Sequence, residues 1–158
     1  NEDDAYLFEM LILESFQAGL SWECVLNKRD NFRKAYDNFD LNKVLNYDDK
    51  KINELRQNKG IIRNSLKIKA SINNAKIFKS IIDEYGNFIT YLFKFAPSVP
   101  IYETNKSNSL LSDEISKDLK KRGMKFVGTT IIYSYLQAIG IINSHEKNCF
   151  MYKEGKHA

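Results

Sequence analysis

Glu14 and Trp22 are the two residues of this sequence with the most chemistry to offer. Leu7, Leu11, Glu14 and Ala18 follow the i, i+4, i+7, i+11 spacing of one helix face. A carboxylate on that face turns inward with an apolar stripe. Leaving an ionised group there without partners costs several kcal/mol, roughly, so it is either paired or kept for a ligand. A nearby arginine or helix N-terminus would satisfy it, and so would a bound molecule. Trp22, the only tryptophan, falls in the first turn of the next helix, as a core aromatic or as a stacking platform. A carboxylate beside an indole suits a flat, electron-poor ligand carrying N–H groups, such as an alkylated purine cation. The ring stacks on the cation, and the anion accepts its hydrogen bonds.

Further along, Asn58-Lys59-Gly60-Ile61-Ile62-Arg63-Asn64 reads as a tight turn between two helices. Such a turn, with the free N–H groups that open the second helix, can hold a phosphate. Arg63, Lys67 and Lys69 add charge beside it. A glycine turn between helices is also common with no such role. Lys120, Lys121, Arg122 and Lys125 form a second basic cluster, which would equally serve as a solvated helix end. On the helix after it, Thr130, Ser134 and Gln137 recur at i, i+4 and i+7, as a solvent-facing stripe or a pocket wall. His145 and Cys149 have the spacing of half a zinc site, and no second pair in the sequence completes it.

The elements that must position these residues read as helices almost throughout. Leu7 to Ala18 is apolar on most faces, the pattern of a buried helix. Gly19 stops it and Ser21 caps the next, predicted to run from Trp22 to about Phe39 with Lys28, Arg29, Arg33 and Lys34 on its exposed side. Asp40 caps a short helix over 41–45, and Asp48 or Asp49 caps another that ends near Gln57. A long helix over 65–84 ends before Gly86, and a shorter one covers 88–95. The prolines and much Ser and Asn make 97–109 irregular. Helix resumes over 113–122 with Gly123 as its stop, then a strand-like stretch at 124–127, then helix over 130–139 capped by Thr129 or Thr130. The pattern predicts an all-α fold.

At 158 residues the chain is of single-domain length, and its 43% hydrophobic and 28% charged residues are those of a globular protein. A net charge of +4 permits a polyanionic partner without requiring one. Two cysteines, Cys24 and Cys149, make no disulfide framework, which points to a reducing compartment. No apolar run approaches the ~20 residues of a membrane span.

Several segments together resemble the type I 3-methyladenine DNA glycosylases. They are Leu7-Phe8-Glu9-Met10, Leu13-Glu14, Gln17-Ala18-Gly19-Leu20-Ser21-Trp22, Gly60-Ile61-Ile62-Arg63, Leu119-Lys120-Lys121-Arg122-Gly123, Lys125-Phe126-Val127-Gly128-Thr129-Thr130, Tyr133-Ser134 and Gln137-Ala138. The likeness runs in order almost from end to end. It implies a two-lobed, all-α helix-hairpin-helix fold, with residues 1–158 as one domain and the base pocket between the lobes.

The same resemblance assigns Glu14 the catalytic and base-binding role, makes Trp22 the stacking surface, and adds Ser134 to the base site. Gly60, Ile61, Ile62 and Arg63 would hold the DNA backbone. His145 and Cys149 would supply half of a structural zinc site. Family members usually open with a cysteine, a nearby tryptophan and a Tyr-His-Asp stretch ending in Trp-Gly, which bring the other zinc ligands and pocket tyrosines. This sequence opens on Asn1 without them, so the expectation is a segment lost by deletion, cleavage or disorder. The implied activity is hydrolysis of the N-glycosidic bond of 3-methyladenine in duplex DNA by base flipping, with no lyase step. The enzyme would act as a monomer in a bacterial cytoplasm and release free 3-methyladenine. A non-catalytic DNA-binding or lesion-sensing protein is the alternative, favoured by the absent opening segment.

Overall fold

The computed structural model describes residues 2–17, 22–95, 101–103 and 109–144. The helix α1 (Glu2–Gln17) is its axis. Every residue from Leu7 to Phe16 is buried, including Glu9, Glu14 and Ser15, so this helix is enclosed on all sides. Phe8 meets Phe78 and Phe39, with ring centroids 5.3 and 6.2 Å away, and Phe16 meets Phe32 at 5.0 Å. One apolar cluster runs from α1 through to Ile142. The expectation of an all-α fold holds. The sequence pattern does not reveal one small addition, a parallel pair of three-residue strands, β1 (Ile101–Glu103) and β2 (Ile142–Ser144), with Ile101 opposite Ile142. No described helix is long and apolar enough to cross a membrane.

The predicted continuous helix from Trp22 to Phe39 is broken. It divides into α2 (Trp22–Asn27) and α3 (Arg29–Ala35), followed by a turn in which Asp37, Asn38 and Phe39 all have positive φ. Each left-handed non-glycine residue costs about 1–2 kcal/mol. The turn returns Phe39 to the core, stacked 5.4 Å from Tyr36, while the Tyr47 hydroxyl donates to Asp37 Oδ2 at 2.6 Å. Of the arginines expected on the exposed side, Arg29 is mostly buried and Arg33 is part-exposed, and both turn toward α1. Arg29 Nε donates to Glu9 Oε2 at 2.9 Å and Arg33 Nε to the same oxygen at 2.7 Å. Burial pushes the Glu9 pKa up, but hydrogen bonds and charges from the two guanidinium groups outweigh it, and the net shift is downward. This partly buried triad clamps α3 to α1.

The later helices follow their capping residues. Asp40 caps α4 (Leu41–Val44), Asp48 caps α5 (Asp49–Gln57), Asn64 caps α6 (Ser65–Tyr85) and Asn87 caps α7 (Phe88–Phe93). Ser109 and Ser112 form a reciprocal capping box that starts α8 (Leu110–Lys121) three residues before the predicted point. Gly123, at φ +106, lets the chain leave α8, its N–H bonding Lys120 O. The helix α9 (Thr129–Ala138) packs on both α8 and α1. Its N-cap is Gly128 rather than a threonine. Thr129 Oγ1 instead lies 2.9 Å from Ser112 Oγ and donates to Asp113, tying α9 to α8.

The Glu9 triad yields a stability prediction. A carboxylate whose pKa is lowered by folding contributes stability above its unfolded pKa and loses it as pH falls through the folded value. Glu9→Ala strands two partly buried guanidinium groups and is expected to cost about 3–5 kcal/mol at neutral pH. Urea melts should show that loss shrinking below pH 4.

Candidate functional site

Glu14 is 2% exposed, and its Oε1 has no hydrogen-bond partner among the described residues. Among the described residues neither an arginine nor a helix N-terminus reaches that oxygen, so the satisfied-glutamate reading fails there for one of its two oxygens. Burial alone pushes the carboxyl up from 4.5 to about 8. At neutral pH the side chain is therefore mostly a neutral acid. An approaching cation would favour its ionised form, with the proton released to water.

The surroundings of Glu14 are tied to it through its neighbours. Ser15 Oγ donates to Leu11 O at 3.0 Å and to Phe126 O at 3.1 Å, bringing the 123–128 loop against α1. From α9, the Tyr135 hydroxyl donates to Leu7 O at 2.9 Å. Burial first, with lesser contributions from Tyr6, Asp4 and Glu14, holds its pKa well above the ordinary tyrosine value. Ser134, one residue back on α9, is half-buried. So is Gln137, whereas Thr130 is exposed, so the predicted polar stripe enters the packed interface at its C-terminal end.

The 123–128 segment is no strand. It is a loop held by side chains from three helices. Asn74 of α6 bonds both the N–H and the carbonyl of Lys125 at 2.9 Å each, as a neighbouring strand would, and Asn73 Nδ2 reaches Gly123 O at 2.9 Å. Ser116 of α8 bonds Val127 O at 2.7 Å. Within this frame Phe126 has φ +58 and points its ring outward. Asn73, Asn74, Ser15 and Ser116 are not among the candidates that the sequence yields. Their signal is only that polar residues occur inside otherwise apolar helices.

The turn of residues 58–64 joins α5 and α6 as expected. Gly60 N donates to Asn58 Oδ1 at 2.7 Å, and Asn58 N to Leu55 O at 3.2 Å. A Cβ on Gly60 would lie 3.0 Å from Asn31 Cγ, so the turn seats tightly against α3. The predicted backbone-holding residues divide in two. Ile61 is buried in the core and Ile62 packs partly against it, so their side chains anchor the turn, while Arg63 is exposed. Asn64 Oδ1 takes the Lys67 N–H at 3.1 Å, leaving the N–H groups of the first turn of α6 facing outward as helix geometry requires. Lys67 Nζ donates to Phe16 O at 3.3 Å, which links the turn directly to the end of α1.

Of the second basic cluster, Arg122 is structural. Its guanidinium bonds Asp118 at 2.8 Å and Glu84 at 3.0 Å and lies over Tyr91. Trp22 opens α2, beside α1, and its side chain lies outside the described residues, as do His145 and Cys149 altogether. Two donors fall short of the four that a structural zinc takes. Among the described residues no group of three or more His, Cys, Asp or Glu could hold a metal ion.

Comparison with known proteins gives this arrangement a context. The methyladenine glycosylase family model matches residues 1–152. The chain belongs to that family. It is 42% identical over 161 residues to DNA-3-methyladenine glycosylase 1 of Escherichia coli, covering 98% of this chain and 86% of the relative. It is 35% identical to the DNA-3-methyladenine glycosylase of Haemophilus influenzae, with 93% and 83% covered. Among solved structures, the 3-methyladenine DNA glycosylase I of Staphylococcus aureus, described for its recognition of 3-methyladenine, superposes with a TM-score of 0.86 at 30% identity. That match covers 94% of this chain and 82% of the other. A further crystal structure of a 3-methyladenine DNA glycosylase I gives 0.84 at 39% identity, covering 93% and 84%.

The raised pKa of Glu14 has a consequence for this methyladenine glycosylase relative. The folded protein keeps a proton that the unfolded chain releases above about pH 4.5. The favourable contribution is complete below that value and is lost as pH rises through about 8, by up to about 1.4 kcal/mol per pH unit. Glu14→Gln removes the titration. Thermal melts from pH 5 to 9 should fall with pH for the parent and stay flatter for the variant, which is expected to be the more stable above pH 8.

Proposed function

We propose that this protein is a DNA repair glycosylase that hydrolyses the N-glycosidic bond of 3-methyladenine in alkylated duplex DNA. The observation that carries the proposal is the unpartnered, sealed Oε1 of Glu14, in a chain of the methyladenine glycosylase family. Methylation at N3 leaves the adenine cationic, so the leaving group is already activated and its glycosidic bond is weak. The enzyme has to extract the base from the stack, at a cost of a few kcal/mol, roughly, and to recognise it. A neutral, desolvated carboxyl suits that selection. Meeting the cation, it gives up its proton to water and gains a charge-assisted hydrogen bond; an ordinary adenine offers no such compensation for burying a charge.

In this reading Trp22 stacks on the flipped base and Ser134 lines the same site between two intimately packed lobes of one domain. Water is the acceptor of the sugar. No amine attacks the sugar, so the phosphodiester chain stays intact. The turn at Gly60–Arg63 holds backbone phosphate as a helix-hairpin-helix, through the outward N–H groups that open α6 and the charge of Arg63. A zinc bound through His145 and Cys149 would be structural and takes no part in the chemistry. The protein acts as a cytoplasmic monomer and releases free 3-methyladenine.

Incubation with methylated duplex DNA is expected to release free 3-methyladenine and to leave abasic but unbroken strands. A protein that binds the duplex and releases no base would instead be a lesion sensor. Under single-turnover conditions Glu14→Gln is expected to slow excision about 100-fold or more, since a neutral amide cannot acquire the compensating charge. Excision by this variant at the parental rate would remove the central role of the carboxylate. The parental lesion affinity should tighten as pH rises toward 8, because a larger fraction of Glu14 is then already ionised.

A further inference from the structure

Beside the phosphate-binding turn, and apart from the carboxyl site, α6 and the 123–128 loop enclose a shallow hollow of about 520 Å³. Leu66, Lys69, Ala70, Asn73, Lys125 and Phe126 line it. Two of these are unusual. Leu66 is 70% exposed on the first turn of α6, and Phe126 is 38% exposed at the crest of the loop. Solvent exposure of a lone leucine means little, but these two belong to one concave surface. Phe126 is presented from a left-handed backbone that phenylalanine does not favour, and the surrounding hydrogen bonds from Asn74, Ser15 and Ser116 hold it there. Lys67 Nζ lies 5.8 Å from its ring centroid and supports the ring from α6.

The charged rim decides what this surface can receive. Among the described residues that line the hollow, both charged ones are lysines, Lys69 and Lys125, and none is acidic. A second copy of the chain brought to the same face would set these lysines against their own equivalents. A polyanion with apolar surface between its charges is complementary. DNA meets that description: phosphates flank sugars and base edges, and exposed leucine and phenylalanine side chains wedge against those edges in the minor groove.

We propose that the Leu66–Phe126 hollow is a second duplex contact, in which the two apolar side chains press on the groove beside the lesion while Lys69 and Lys125 hold the flanking phosphates. The proposal rests on the DNA-directed reading above, and it adds residues that recognise the duplex rather than the base. The turn of residues 58–64, Lys67 and the hollow then form one continuous surface along the N-terminal half of α6.

Fluorescence anisotropy with a duplex at several salt concentrations tests this, alongside calorimetric binding of free 3-methyladenine. Phe126→Gly is the informative variant, because glycine adopts φ +58 without strain and the fold should not suffer. It is expected to weaken duplex binding about tenfold while melting temperature and free-base affinity stay close to the parental values. Leu66→Ser should weaken binding without altering its salt dependence, whereas Lys69→Ala and Lys125→Ala should each lower the salt slope by about 0.9. Duplex affinity within about twofold of the parent in all four variants would overturn the proposal. So would a parallel loss of free-base binding, which would make the hollow part of the base pocket, or self-association that the variants abolish. A parent that binds duplex yet releases no 3-methyladenine defeats the enzymatic reading and leaves this surface standing.

Discussion

Keeping an ionisable carboxyl inside a helix that water cannot reach constrains the whole arrangement around α1. Glu9 and Glu14 lie five residues apart on this helix, both buried, and meet opposite fates. Glu9 receives two arginines from α3 and becomes a fixed carboxylate that holds two helices together. Glu14 receives no partner at Oε1 among the described residues and becomes an acid that stays protonated near neutral pH. The difference is which face each residue presents, since five positions turn a helix by about 140°. One glutamate is used up by the fold. The other is withheld from it, on a helix against which both α9 and the 123–128 loop pack.

Much of this was legible in the sequence. Asp40, Asp48 and Asn64 lie where helices begin, and each accepts the backbone N–H that capping chemistry predicts. Glu14 could be found because its spacing with Leu7 and Leu11 places it on an apolar face. The long segment from Trp22 to Phe39 was misread because helical periodicity survives its two interruptions. Asp37 and Asn38 are residue types that tolerate a left-handed backbone, but nothing local announces it at Phe39, which has to return to Tyr36 and Phe8. Arg29 and Arg33 were misread for a related reason. A sequence shows that an arginine is charged, but only the fold shows that its partner is a glutamate twenty residues away.

The loop after Gly123 illustrates the same limit in another form. Its apolar residues resemble a strand, and its hydrogen bonds are indeed those of a strand at Lys125, except that an asparagine side chain supplies them. A side-chain amide carries the same donor and acceptor as a peptide unit, so Asn74 can pair with a loop that no strand reaches. With Ser15 and Ser116 it sets the loop that carries Phe126 against the helix that carries Glu14.

The long helix α6 connects these parts. Asn64 caps it at the turn of residues 58–64, and Asn74 grips the loop further along. At 1.5 Å per residue these two points stand about 15 Å apart along a rigid rod, close to the rise of four base-pair steps in a duplex. The helix thus acts as a ruler. Inserting a single residue between its two marks would lengthen it only slightly, yet would swing the far mark by about 100° and turn the loop away from the face it shares with the turn.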